Sequence, residues 1–365
     1  MKVLICHERY EPDFGGGGEV VVHQTALQLA KLGVEVQVIT AGDPQIRSIE
    51  GVPTHRLPVG RYRFNLAGGV VTELARSADI IQAFNYHACL PALTAGRRTG
   101  TPVVCGVLGL FEQAWRSMRG PLAGRLFQAW EHFLLRRPYA RVFFLSEFSR
   151  QAGIRLGVDP ARAFVAAPGV DSDLFRPAEE KDDVVLFAAK LDPRKGVDEL
   201  VAVARALPQV RFQVAGWGAH PCAAPLATLA NVELLEVSRE DGLREAFARA
   251  RIFFFPSRAE TYGMVLVEAM AAGCAIVSTV DLGYAGIPVP SGDVGAMIQA
   301  LRELWDDPAR TTAMGSANVA RAQQITWSRF AETLLSVYDE LHSAGANRST
   351  GSHVVGAGRR RKKSA

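Results

Sequence analysis

The chain lacks long hydrophobic runs, is poor in cysteine and carries almost no net charge, and each shortage removes a class of function. No apolar stretch approaches the ~18 residues that a membrane-spanning helix needs, and the opening run reaches Glu8 too soon for the apolar region of a signal peptide. A cytoplasmic protein is expected, soluble or peripheral at the inner membrane face. The five cysteines, Cys6, Cys89, Cys105, Cys222 and Cys274, are odd in number, widely spaced and mostly set in apolar runs. They predict free thiols, with no disulfide and no structural zinc. A formal charge of +4, from 41 basic against 37 acidic residues, does not describe a nucleic-acid binder. Neither half has Gly-x-Gly-x-x-Gly at a strand-to-helix turn, which argues against a nicotinamide dehydrogenase.

What is present is enough apolar material for two cores. The 365 residues are 48% hydrophobic, and cores stop growing and split at roughly 150 to 250 residues. Buried-strand patterns at 2–7, 34–40, 80–83, 102–107 and 141–145 alternate with helical spacing at 20–32, 91–98 and 121–137. That order is the opening of a parallel α/β sheet. After a polar run at 179–183 the cycle restarts, with strands at 184–189, 211–215, 232–235, 252–255 and 275–279 and helices at 198–207, 241–249 and 263–272. An amphipathic helix at 328–342 follows. The Gly- and Ser-rich end, 344–365, closes on Arg359-Arg360-Arg361-Lys362-Lys363 and reads as a disordered basic tail.

Charge is local rather than global. Between Arg97 and Arg155 lie ten arginines against Glu112, Glu131 and Glu147, a surface that favours an anionic partner. Tyr10, Phe111, Trp115, Met118 and Trp130 lie along the same half. If exposed, they suit a lipid-linked acceptor or contact with an anionic membrane.

Chemistry concentrates in three loops. In the first, the strand 252–255 runs into Pro256-Ser257-Arg258-Ala259-Glu260-Thr261-Tyr262-Gly263 and then a helix bearing Glu268. Ligands of parallel sheets bind at the carboxyl ends of strands, and a helix N-terminus presents free N–H groups to phosphate. Taken singly, Glu260 reads as a helix-capping acid and Glu268 as a solvated helical residue; together on one loop and helix they can meet two parts of one ligand. In the second, strand 184–189 ends in Lys190-Leu191-Asp192-Pro193-Arg194-Lys195-Gly196, where cations can neutralise a leaving diphosphate. In the third, Gly15-Gly16-Gly17-Gly18 follows the first strand and lets a ligand approach the main chain.

The frame Pro-Ser...Glu-x-x-Gly...Glu-Ala-Met-Ala-x-Gly, with glutamates at 260 and 268, resembles the signature of the family 4 retaining glycosyltransferases, also grouped as glycosyl transferases group 1. The likeness extends to the Gly-rich opening and to Lys195; Lys190 stands where arginine is usual. Also similar are Ala167-Pro168-Gly169-Val170-Asp171-Ser172-Asp173-Leu174-Phe175 and Trp327, so the agreement spans residues 1–343. The resemblance implies the GT-B fold: α/β, two doubly wound Rossmann-like domains facing a cleft, with a C-terminal helix crossing back to the first. It implies a division into 1–178 on the acceptor side, 179–327 on the nucleotide-sugar side and a crossover helix at 328–343. It further implies transfer from a UDP- or GDP-sugar to a carbohydrate, lipid-linked or small-molecule hydroxyl, with retention and without metal or other cofactor. Glu260 would face the sugar, Lys195 and Lys190 the diphosphate, Glu268 the ribose, and Gly16, Gly17, Tyr262, Gly263, Met264 and Val265 would complete the donor site. Two departures keep rival readings open: Leu108 occupies the place of a common family histidine, with His87 the nearest in sequence, and the stretch 279–290 is short. The rivals are a nucleotide-sugar epimerase of the same fold and a donor-binding protein without turnover.

Overall fold

The computed structural model describes residues 1–13, 16–218, 220–236 and 241–351. The first half comprises β1 (Lys2–Cys6), α1 (Gly17–Lys31), β2 (Glu35–Ala41), β3 (Ser48–Ile49), β4 (Val52–Leu57), α2 (Gly68–Ala75), β5 (Ile80–Phe84), α3 (Cys89–Thr99), β6 (Val103–Val107), α4 (Ala114–Arg119), α5 (Pro121–Leu135), β7 (Arg141–Phe144), α6 (Glu147–Arg155) and β8 (Ala163–Val165). Its sheet runs β3-β4-β2-β1-β5-β6-β7-β8, parallel except for the β3–β4 edge. Every residue of β5 and β6 is buried, as expected of parallel strands covered by helices on both faces.

The second half repeats the plan with β9 (Asp182–Lys190), α7 (Val197–Ala206), β10 (Phe212–Trp217), β11 (Val232–Leu235), α8 (Asp241–Arg249), β12 (Ala250–Phe255), α9 (Met264–Ala271), β13 (Ala275–Ser278), β14 (Gly286–Pro288), α10 (Val294–Asp306) and α11 (Pro308–Ala322). The sheet order is β11-β10-β9-β12-β13-β14. The result is the expected α/β architecture of two doubly wound, Rossmann-like halves.

The run 179–183 is not a free polar linker throughout. Asp182 and Asp183 begin β9, where they pair with Arg249 at 2.8 Å and Arg251 at 2.7 Å. The Lys181 ammonium reaches the carbonyls of Ala248, Ala250 and Ala272 at 3.1, 2.8 and 2.7 Å. Charge here is spent on fastening the strand, which a reading by polarity alone mistakes for solvation.

The last helix, α12 (Trp327–Gly351), returns to the first sheet. Its Tyr338 hydroxyl donates to Gln82 of β5 at 2.6 Å, its Phe330 ring meets Phe143 of β7 edge-on, and Glu340 lies 3.6 Å from Arg141. The helix runs past the expected end at 343, because the alanines and polar residues beyond that point continue a helical backbone; the rest of the expected tail, 352–365, lies outside the described residues. All five cysteines are free, and four are buried.

Candidate functional site

In each sheet the chain reverses its direction of winding at one place, and open α/β sheets bind ligands in the crevice outside the carboxyl ends of the strands there. In the second sheet that place lies between β9 and β12. The loops leaving these two strands carry Lys190 to Gly196 and Pro256 to Gly263.

The first loop is tightened by Asp192, whose side chain accepts from the Arg194 amide at 3.0 Å and pairs with its guanidinium at 2.8 Å. Gly196 then takes a left-handed conformation, φ 75°, and opens α7. The second loop is fastened to the first: the Arg258 amide and the Ser257 hydroxyl both donate to the Arg194 carbonyl, at 2.7 and 3.2 Å. This fastening brings the Lys195 ammonium onto the Glu260 carboxylate, with both side chains more than four-fifths buried. Lys195 also lies 5.4 Å above the Phe255 ring, and Glu260 accepts from the Thr261 amide at 3.1 Å.

Gly263, φ 88°, ends this loop and begins α9. The first amides of the helix, Met264 and Val265, have no intrahelical acceptor and carry the partial positive charge of a helix N-terminus. Glu268 is part-exposed on the same helix. Lys190 is exposed at the end of β9. Tyr262 is placed differently from its neighbours: its ring is buried, and its hydroxyl donates to the Pro168 carbonyl at 2.9 Å between the two halves. Burial also pushes that hydroxyl's pKa up.

The first half faces this site closely. Gly16 precedes α1, and a Cβ on Gly17 would lie 3.3 Å from Met264 Cγ, so the start of α1 meets the start of α9. A Cβ on Gly18 would lie 3.5 Å from Leu108. Gly15 lies outside the described residues. The segment after β6 crosses over as well: the Leu110 amide reaches Thr261 Oγ1 at 3.4 Å, and the Phe111 ring lies 5.8 Å from the Arg194 guanidinium. Ser146, at the head of α6, donates to the Thr261 carbonyl at 2.9 Å.

That segment is held by a residue the sequence shows only as one of three acids among arginines. Glu131 of α5 is fully buried, and its carboxylate accepts from the Tyr86 hydroxyl at 2.5 Å, the Phe111 amide at 3.0 Å, the Glu112 amide at 2.9 Å and Trp115 Nε1 at 3.1 Å. Burial, reinforced by this carboxylate, pushes the Tyr86 pKa well up. The readable signal is position: Glu131 lies on the helical stripe of Gly124, Leu134 and Leu135, where an acid needs partners. Glu131→Ala removes the acceptor of the Phe111 and Glu112 amides and of Trp115 Nε1, while the Tyr86 hydroxyl keeps the Gly109 carbonyl at 2.8 Å, and is expected to cost about 2 to 3 kcal/mol. Chemical denaturation measures that loss, and a change below about 1 kcal/mol would refute the network's role.

His87 does not join the Lys195–Glu260 pair. It is buried against the Tyr62 ring, with Nδ1 2.9 Å from Asn65 Nδ2. Burial lowers its pKa, with Glu8 opposing and Arg61 assisting; burial likewise lowers that of His23. A folded-state pKa below the unfolded value of about 6.5 means that the unfolded chain takes the proton first as pH falls. The stability these rings leave intact above that value is therefore lost below it. Melting temperature should drop from pH 7 to pH 5, and His87→Gln should flatten the slope; an unchanged slope in the variant would remove His87 as a contributor. The Asp171-Ser172-Asp173 run forms a turn, with Asp171 accepting from the amides of Asp173 and Leu174 at 3.0 and 3.2 Å.

Comparison with known proteins adds to this geometry. A family profile described as a glycosyl transferase 4-like domain matches residues 16–169, and one described as glycosyl transferases group 1 matches residues 182–307. The D-inositol 3-phosphate glycosyltransferase 1 of Catenulispora acidiphila is 27% identical over 91% of this chain and 93% of its own. The D-inositol 3-phosphate glycosyltransferase of Mycobacterium leprae is 28% identical over 90% of each chain. Among solved structures, sucrose-phosphate synthase from Thermosynechococcus elongatus superposes with a TM-score of 0.76 at 20% identity, covering 94% of this chain and 99% of its own. Anabaena HepE in complex with UDP gives 0.76 at 18%, covering 93% and 100%.

Proposed function

We infer the details of the reaction from one premise: the chain belongs to the group 1 glycosyltransferases, with a glycosyl transferase 4-like first half, and moves a sugar from a nucleotide sugar to an acceptor. The donor is a UDP- or GDP-sugar. Its diphosphate lies on the amides from Tyr262 to Val265 at the head of α9, with Lys195 and Lys190 supplying positive charge. Glu268 takes the ribose, Glu260 faces the sugar, and Gly16 and Gly17 let the phosphate approach α1. The observation that carries this reading is the Lys195–Glu260 pair at the carboxyl ends of β9 and β12.

The chemistry needs little from the protein beyond position and charge. A diphosphate on α9 draws the Lys195 ammonium partly away from Glu260, and the ammonium then neutralises the charge that grows on the leaving oxygen. The freed carboxylate meets the sugar. The acceptor hydroxyl attacks from the face the leaving group departs from, and the leaving phosphate helps take its proton; the anomeric configuration is retained and no metal takes part. The units divide at 178/179, with the acceptor on the first, the donor on the second up to residue 327, and the last helix, α12, tying them. The acceptor is a carbohydrate, lipid-linked or small-molecule hydroxyl, met in the cytoplasm or beside an anionic membrane. HepE was solved with UDP, which favours UDP here.

Melting in the presence of UDP-, GDP-, ADP- and dTDP-sugars tests the donor. One UDP- or GDP-sugar should raise the melting temperature, and its transferred sugar should keep its anomeric configuration by NMR in the presence of a chelator. Stabilisation by none of the four, or an inverted product, would sink the reading.

A further inference from the structure

The expected apolar, basic surface exists, but on other residues. Tyr10 and Trp115 are buried, and Phe111, Met118 and Trp130 are only half-exposed. The large apolar residues exposed on α5 are Leu122, Leu126 and Phe133, at 76%, 67% and 41%. Spaced four and seven residues apart, they form one stripe along the helix, about 16 Å long at 1.5 Å per residue. Trp130 stacks on Phe133 at 5.5 Å and extends the stripe sideways.

Exposed charge on α5 itself has one sign. Arg125 and Arg136 are exposed beside the stripe, Arg136 with its Nε donating to the Leu156 carbonyl at 3.0 Å, and the Arg137 guanidinium lies 4.0 Å over the Phe133 ring. The helix's single acid, Glu131, is turned inward and consumed by four donors. At its carboxyl end the stripe opens into a groove of about 830 Å³, to which Phe133 and Arg137 contribute together with Leu93, Arg97, Arg141 and Arg162. Arg141 and Arg162 each meet one carboxylate there, Glu340 at 3.6 Å and Asp159 at 3.4 Å.

We propose that the Leu122–Leu126–Phe133 face of α5 docks on an anionic lipid bilayer, with leucines and phenylalanine in the acyl boundary and the groove arginines on lipid phosphates. An apolar stripe on a helix that exposes arginine and no acid matches an interface in which apolar side chains enter and guanidinium groups reach back to the headgroups. No helix among the described residues is long and apolar enough to cross a membrane, so the helix lies on the surface. The inference deepens the proposed membrane contact and does not rest on sugar transfer.

Co-sedimentation of the full chain with vesicles of phosphatidylcholine alone, or with 30% phosphatidylglycerol, tests it. The full chain should bind the anionic vesicles and leave the neutral ones, and binding should weaken as salt rises. The variant L122S/L126S/F133S should bind at least tenfold more weakly, and R125E/R136E should lose binding with the stripe intact. Both variants lose surface contacts, of Phe133 with Trp130 and of Arg136 with Leu156, and should melt within a few degrees of the parent while keeping its stabilisation by nucleotide sugar, which reports the donor site separately. Undiminished binding by L122S/L126S/F133S would assign the attraction to the basic tail and overturn the proposal. Absence of binding to any vesicle would do the same, as would a dimer of the full chain that the triple variant abolishes.

Discussion

Lys195→Ala and Glu260→Gln are each expected to lower kcat/KM for sugar transfer by roughly 10³-fold, while leaving the melting temperature within a few degrees of the parent. The size follows from where the pair stands. Both side chains are more than four-fifths buried at the carboxyl ends of β9 and β12, so charge there is poorly screened and acts strongly on a developing leaving group. Removing one member leaves the other buried without its partner, yet the partner is not lost from the core: Glu260 keeps the Thr261 amide, and Lys195 keeps the Phe255 ring. Stability is therefore expected to fall far less than turnover. Lys195→Arg restores charge on a different fork and should recover part of kcat. Because the two residues act on one ligand, the double variant should lose little more than either single one. Steady-state kinetics on the four proteins decide it, and near-normal turnover by either single variant removes the pair from the reaction.

That pair was legible in the sequence because each member follows an apolar run that can only be a buried parallel strand. Strand ends converge on the crevice, so two motifs 65 residues apart arrive together. Elements whose signal was polar or local were not read. β4 (Val52–Leu57) carries Pro, Thr, His and Arg in succession beside the two-residue edge strand β3, and α2 opens on two glycines. Other signals were present but passed over: Ser146 and Ser149 cap α6 reciprocally, and Asp307 before Pro308 caps α11. The contacts across the cleft were out of reach altogether. Nothing in the spacing of Leu110, Ser146 and Thr261 shows that they bond, since that depends on how two separately folded sheets meet. Tyr262 is the instructive case: its place in the loop concerns its amide, and nothing in the sequence shows that its hydroxyl reaches Pro168 in the other half.

Gly196→Ala should be the most damaging single methyl group at this site, costing about 2 to 5 kcal/mol and at least 10²-fold in kcat/KM. Two costs combine. The left-handed conformation, φ 75°, disfavours a Cβ by roughly 1 to 2 kcal/mol. The added Cβ would also collide with the Pro256 carbonyl, sitting 2.8 Å from its carbon, and a packed backbone gives way only at about 1 to 3 kcal/mol. The collision has a direction, since Gly196 belongs to the loop of Lys195 and Pro256 to the loop of Glu260. Relief of the clash pushes the two loops apart, and a misplacement near 1 Å costs on the order of 10²-fold in rate. Gly33→Ala separates the terms: its φ is 83°, and nothing lies within 4 Å of its Cβ. It should show the conformational cost alone, with normal turnover. Paired measurements of unfolding free energy and kcat/KM on the two variants give the answer. If Gly196→Ala matches Gly33→Ala in both, the close approach of the loops does not set the geometry of the site.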